Sequence, residues 1–275
     1  MKVFTYYDYI KCIHSVRLNK GQGLAEEQAK YKIGEDKKER NKQDKVIKAI
    51  LKNKDEIAKL INGFLKVNKK VYSKDLSEYT KADITKKYKE EAEIIYELKK
   101  EEIYFLVEYK TKIDNKISER ILNSSVDIIH EWSKLRKLGV KTKYPLIVPI
   151  VIYTGEKKWK TYNNFKDVEV VNYGYENKKI KIEYNLIEIN RISIKRLLEQ
   201  KSLFGSVMIL KKARDEKELE YNINLVIKSC RDEEYKKEIQ NIIRFYIKDV
   251  SDKTKTKILK SLKKWKKETK PILNL

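Results

Sequence analysis

Ile103-Tyr104-Phe105-Leu106-Val107-Glu108-Tyr109-Lys110 is the stretch on which the fold turns. Five apolar or aromatic residues in unbroken succession read as a strand covered on both faces, because a strand with one wet face would alternate. The run then meets charge. Side chains on a strand alternate with period two, so Glu108 and Lys110 share a face while Tyr109 points to the other. Upstream, Ala92-Glu93-Ile94-Ile95-Tyr96-Glu97-Leu98 reads as a partner strand, with Lys99-Lys100-Glu101-Glu102 as the turn between them. A turn centred on Lys100 and Glu101 sets Glu93 directly opposite Glu108.

Downstream, Ile117, Ile121, Leu122, Ile128, Ile129, Trp132 and Leu135 fall along one helical stripe, and Gly139 stands where a stop belongs, so a helix is expected over 117–138. Pro145-Leu146-Ile147-Val148-Pro149-Ile150-Val151-Ile152-Tyr153 reads as another buried strand, in which Pro149 calls for an edge or a bulge. Strand, helix, strand at this spacing is a crossover unit, so the sheet should be mixed, an antiparallel hairpin joined to at least one parallel pair. Val168–Tyr173 and Ile180–Ile189 are two further extended segments. Val46, Ile47, Ile50, Leu51, Ile57, Leu60, Ile61, Phe64 and Leu65 recur at intervals of three and four, which reads as the apolar face of one opening helix or of two abutting helices. Residues 67–90 are polar and irregular, and the strand expected there has no visible pattern. The organisation that follows is an N-terminal helical arm over 1–40, an α/β core over 41–190, and a helical region over 191–275 that ends in a Lys-rich tail.

The chain has 275 residues and a formal net charge of +23. Its 41% hydrophobic content includes 19 Tyr, enough apolar surface for a real core, which argues against wholesale disorder. No apolar run approaches the ~20 residues of a membrane span, and MKVFTYYDYIKC lacks a secretory h-region, so a cytoplasmic location is the default expectation. Two Cys and two His cannot assemble a zinc cluster, and any metal must be held by oxygen. The positive charge points to an anionic partner, nucleic acid first and membrane surface second. Only nine of the 64 basic residues are Arg, a bias that an AT-rich genome produces without selection for binding, so charge alone does not decide the matter.

Two carboxylates with Cβ atoms ~5 Å apart on adjacent strands repel unless a cation or proton sits between them. Mg²⁺ takes one or two carboxylates and completes its shell with water and substrate phosphate, and Lys110 would then stand beside the metal, placed to hold a water or to steady charge building on a phosphate. The spacing of Glu93 and Glu108 is equally that of two solvated strand ends. Asp44 reads either as a second-metal or water-mediated acid, or as an acid at a helix N-terminus. His130, Trp132 and Trp159 read as packing residues.

The segments Ala92–Tyr96, Tyr104–Lys112 and Pro145–Trp159, this last with its proline-bracketed strand and Tyr153-Thr154-Gly155 ending, together resemble the recombination-promoting nuclease (Rpn)/putative transposase family of the PD-(D/E)XK nuclease superfamily. The likeness runs from Asp44-Lys45-Val46-Ile47-Lys48 to Tyr184-Asn185-Leu186-Ile187-Glu188. It implies an αβββαβ core with a mixed sheet and a Mg²⁺-dependent DNA endonuclease, with Mn²⁺ as a possible substitute. It also implies roles: Glu93 as the first metal-binding acid, where Asp is usual, Glu108 as the second, and Lys110 as the lysine of the E-x-K. A part in recombination or mobile elements in a bacterial cell comes from the same resemblance.

Lys112, Lys116 and Arg120, just beyond the proposed site, are the first choices for phosphate contact. The Lys-rich tail, nine lysines over Ser251–Lys270 around Ile258, Leu259, Leu262 and Trp265, reads as a phosphate-tracking element, as an amphipathic membrane-surface helix, or as a solvated helix docked by its apolar face. The C-terminal helices would bind substrate or a partner subunit in a homo-oligomer. The competing functional reading is a non-catalytic nucleic-acid-binding or assembly protein whose nuclease site is vestigial.

Overall fold

A computed structural model of the chain describes residues 44, 46–79, 94–134, 136, 143–160, 183–230, 233–248 and 250–267, all within one compact unit spanning Gln43–Leu275. The expected N-terminal arm, the segment Val168–Tyr173 and Glu93 lie outside the described residues.

Five strands form one mixed sheet in the order β1-β2-β3-β4-β5. They are β1 (Leu76–Glu78), β2 (Ile94–Leu98), β3 (Ile103–Lys110), β4 (Leu146–Tyr153) and β5 (Asn185–Glu188). β1, β2 and β3 run antiparallel in succession, whereas β3, β4 and β5 are parallel, so the expected hairpin and crossover are both present. The hairpin register, from Ile94↔Val107 to Leu98↔Ile103, is the one that a turn centred on Lys100 and Glu101 sets. That turn is a 3₁₀ step over Lys99–Glu101, closed by Glu102 in the left-handed region at φ 51°. β1 is the strand without a sequence pattern: three residues long, with Leu76 alone fully inward, it is too short to show alternation.

Pro149 meets its expectation only locally. β4 is an interior strand, and Pro149 pairs in register with Leu106. Pairing with β5 starts one residue later, at Ile150↔Asn185, so the missing N–H costs no ladder bond on that side. The Asn185 side-chain amide donates to the Pro149 carbonyl at 3.1 Å where a further β5 residue would have stood.

Among the described residues eight helices cover the sheet, beginning with α1 (residues 46–51) and α2 (Lys54–Phe64). Next, α3 (Ile117–Lys134) joins β3 to β4 and lies on one face, where Ile117, Ile121, Ile128 and Trp132 pack with Tyr104, Leu106, Val151, Tyr153 and Trp159. The helix stops at Lys134, short of the expected 138. Arg136 is already outside it, its guanidinium donating to the Trp132 carbonyl and pairing with Glu102. His130 is exposed, not a packing residue, while Trp132 and Trp159 are core.

The opposite face carries the larger core, shared by Tyr96, Phe105, Val107 and Ile152 with α1, α2 and the C-terminal helices α4 (Ile194–Glu199), α5 (Leu203–Lys211), α6 (Glu216–Ser229), α7 (Glu233–Tyr246) and α8 (Asp252–Lys267). At its centre is α5, Leu-Phe-Gly-Ser-Val-Met-Ile-Leu-Lys, apolar and buried at every position but Ser206 and Lys211. Its close approach to α4 requires Gly205, where a Cβ would lie 2.6 Å from the Leu197 carbonyl oxygen. Glu56 of α2 is 0% exposed because its carboxylate accepts the Phe204 N–H at 2.7 Å, satisfying an open donor in the first turn of α5.

Candidate functional site

β3 is the middle strand of the sheet, and its C-terminal end is where apolar sequence gives way to charge. Tyr104, Leu106, Glu108 and Lys110 alternate onto the α3 face. Burial follows from position: β2 and β4 flank the strand and α3 covers it, leaving Glu108 3% and Lys110 5% exposed. Charges so buried need partners. The Lys110 ammonium stands 3.1 Å from Glu108 Oε2 and 3.5 Å from Asp114 Oδ2.

Asp114, four residues beyond Lys110 in the loop that leads into α3, completes the cluster. Its carboxylate accepts the Lys116 N–H at 3.0 Å and is paired with the Arg120 guanidinium from the first turn of α3. Burial opposes its ionisation, but the Arg120 pair, the Lys116 N–H and the Lys110 charge outweigh that penalty and hold the carboxyl below its usual range. Two acidic and two basic side chains thus sit together at one strand end.

The sequence reading missed Asp114. Its signal was available, an Asp two residues ahead of a Lys N–H and three ahead of a helix start, which is an Asx turn. Its contact with Lys110 was not, since it depends on the path of the 111–116 loop. The expected phosphate-contacting residues divide. Lys112 and Lys116 carry exposed side chains, whereas Arg120 is half-buried and held by Asp114.

Asp44 is placed with different neighbours. Tyr109, which alternates onto the other face of the sheet, donates its phenol to Asp44 Oδ1 at 3.4 Å and shares a 3.1 Å hydrogen bond with Thr154 Oγ1, and Lys211 of α5 pairs with Asp44 at 3.9 Å. Burial pushes the Tyr109 phenol far above its ordinary range, so it stays a neutral donor. Thr154 also donates its N–H to the Lys110 carbonyl at 3.0 Å, which ties the ends of β3 and β4 together. The Thr154–Trp159 segment is held in turn by Glu188, which accepts the Trp159 N–H at 2.9 Å, and by Tyr184, which accepts the indole N–H at 2.9 Å.

The donors at the strand end are carboxylate oxygens, the ligand type that Mg²⁺ demands and a thiolate- or imidazole-seeking metal does not. Among the described residues no three His, Cys, Asp or Glu side chains form a metal-holding group, and Glu93 lies outside them. Glu108 offers carboxylate oxygens of the type that Mg²⁺ accepts. No helix of the described residues is long and apolar enough to cross a membrane.

No curated protein and no solved structure matches the chain. A family model described as putative transposase, YhgA-like, matches residues 41–260, which takes in the sheet, the charged end of β3 and most of the C-terminal helices. The chain accordingly belongs to the putative transposase, YhgA-like family, the Rpn/YhgA group of the PD-(D/E)XK superfamily.

Proposed function

We propose that the chain is a metal-dependent DNA endonuclease built on a PD-(D/E)XK core, serving recombination or a mobile element. The observation that carries this reading is the buried Glu108–Lys110 pair at the C-terminal end of the central strand.

Mg²⁺, or Mn²⁺ in its place, held by Glu93 and Glu108 would supply Lewis-acid charge that lowers the pKa of a water and offsets charge building on the phosphate. The chain's own residues would do the rest. Lys110, fixed between Glu108 and Asp114, carries hydrogen-bond donors at the strand end that can orient the attacking water or meet the developing negative charge, with no rearrangement at the moment of reaction. Asp114, itself paired with Arg120, positions that ammonium. Lys112 and Lys116, exposed at the mouth of the loop, would hold flanking phosphates and register the duplex without reading its sequence.

Supercoiled plasmid incubated with the protein and Mg²⁺ or Mn²⁺, beside EDTA, Glu108→Gln and Lys110→Ala controls, tests this. Metal-dependent nicking lost in both variants, with wild-type circular dichroism retained by the near-isosteric Glu108→Gln, is the expected result. Nicking undiminished in the variants refutes the assignment of the site. Salt-sensitive DNA binding without any cleavage would instead favour the non-catalytic binding protein.

A further inference from the structure

The C-terminal helix α8 has an apolar side and a basic side. Ile258, Leu262 and Trp265 are buried in the main core, so the apolar side is spent on docking the helix. Its start is fixed as well: Glu216 of α6 accepts the Ser251 N–H at 2.7 Å, the Ser251 hydroxyl at 2.6 Å and the Thr254 hydroxyl at 2.7 Å. Those hydrogen bonds hold the Glu216 carboxyl below its usual range.

On the reverse side Lys253, Lys257, Lys260 and Lys264 follow one another at intervals of four, three and four. At 3.6 residues per turn such spacing keeps all four on one stripe, opposite Ile258, Leu262 and Trp265. All four are exposed. Lys257 has a partner in Glu220 at 3.5 Å, at the solvated surface where such a pair contributes little. The helix has eight lysines and a single acid, Asp252, in its first turn, where the helix dipole favours it. The stripe spans about 16 Å at 1.5 Å per residue, longer than the ~12 Å width of a B-DNA major groove, so its two ends can reach phosphates on both sides of one groove.

We infer that the lysine stripe of α8 is a second contact surface for the backbone of duplex DNA, apart from the strand-end site. Like-charged lysines in a row repel one another, and a polyanion is the partner that relieves this. An anionic membrane would do so too, but a basic helix lying in a membrane interface needs its apolar side free, and here that side is already in the core. The stripe would add sequence-independent affinity on a docked, preorganised helix and leave chemistry to the strand end. The inference rests on DNA being the substrate.

Binding of a fluorescent duplex in EDTA, so that no cleavage intrudes, is measured between about 50 and 200 mM salt. Four proteins are compared: wild type; the quadruple variant Lys253→Gln, Lys257→Gln, Lys260→Gln, Lys264→Gln; the same four positions changed to Arg; and a control with equal charge loss elsewhere, Lys52→Gln, Lys54→Gln, Lys66→Gln, Lys70→Gln, all exposed in the wild type. Each phosphate contact contributes ~0.9 to the slope of log K against log salt, so the α8 Gln variant should lose about 2 to 4 from that slope and more than about tenfold in affinity. The Arg variant and the control should stay near wild type. A wild-type slope in the α8 Gln variant overturns the stripe alone. Equal loss in the control overturns it in favour of net charge. Loss of binding to phosphatidylserine vesicles with unchanged duplex affinity overturns it in favour of a membrane surface. A wild-type chain without salt-sensitive duplex binding removes the DNA reading of the whole protein, the stripe included.

Discussion

Replacing Lys110 by Met tests the strand-end cluster independently of any catalysis. The wild-type cluster balances Glu108 and Asp114 against Lys110 and Arg120, with side-chain exposures of 4% and 15% for the acids and 6% and 31% for the bases. Met is close to Lys in length and apolar, so packing is largely kept while one positive charge is removed. Glu108, buried and 3.1 Å from the lost ammonium, is then left beside Asp114 with Arg120 as the only cation of the four. Removing one partner from a buried pair costs about 3–5 kcal/mol, because the other stays desolvated. For a unit of this size each kcal/mol lowers Tm by ~2–4 °C, which gives a fall of roughly 6–20 °C.

The second leg is Glu108→Gln in the Lys110→Met background. It restores the balance, since Asp114 and Arg120 still neutralise each other, and should recover part of the loss, with a coupling of ~0.5–3 kcal/mol. Urea and thermal unfolding followed by circular dichroism at pH 7 measures both. A Lys110→Met loss below about 1 kcal/mol, or a double variant less stable than the two single losses summed, would refute the reasoning, since it would mean that the charges are solvated or independently satisfied.

Asp114 has its carboxyl pKa depressed in the folded state, so its contribution is present above the ordinary carboxylate pKa of about 3.9 and is lost as pH falls through the lower folded value. Wild type should therefore show an acid limb in its unfolding midpoint below about pH 4 that is shallower in Asp114→Asn; identical limbs would count against the ion pair. Glu56→Ala leaves the Phe204 N–H unsatisfied and a cavity at a fully buried position, and urea unfolding should register roughly 2–4 kcal/mol, with Glu56→Gln losing less. Gly205→Ala drives a Cβ against the Leu197 carbonyl and should cost about 1–3 kcal/mol by the same measurement; an unchanged midpoint would show that α4 shifts freely.

How much of this was legible beforehand depends on the range of the forces involved. The β2–β3 hairpin was readable because a short turn and a period of two fix register locally, and the structure pairs Ile94 with Val107 as the turn demands. The α3 stripe was readable for the same reason, since periodicity records which side of an element meets the core, whereas β4 is buried only over Ile150–Tyr153 and begins with an exposed Leu146, not buried throughout as expected. The end of α3 was not, because Arg136 closes it through Trp132 and Glu102, the latter 34 residues away.

Sequence alone therefore determined the order of the core elements, the hairpin register and the shared face of Glu108 and Lys110, all consequences of neighbours within about one turn or one hairpin. Tertiary structure decided the rest. It brought Asp114 and Arg120 to Lys110, set Asp44 beside Tyr109 on the opposite face, used Glu56 to satisfy a helix start 148 residues away, and buried the apolar side of α8 so that its lysines face outward. In each of these a polar or charged side chain takes its role from a partner that only packing brings near, and desolvation at that place, absent from the unfolded chain, gives the contact its energy.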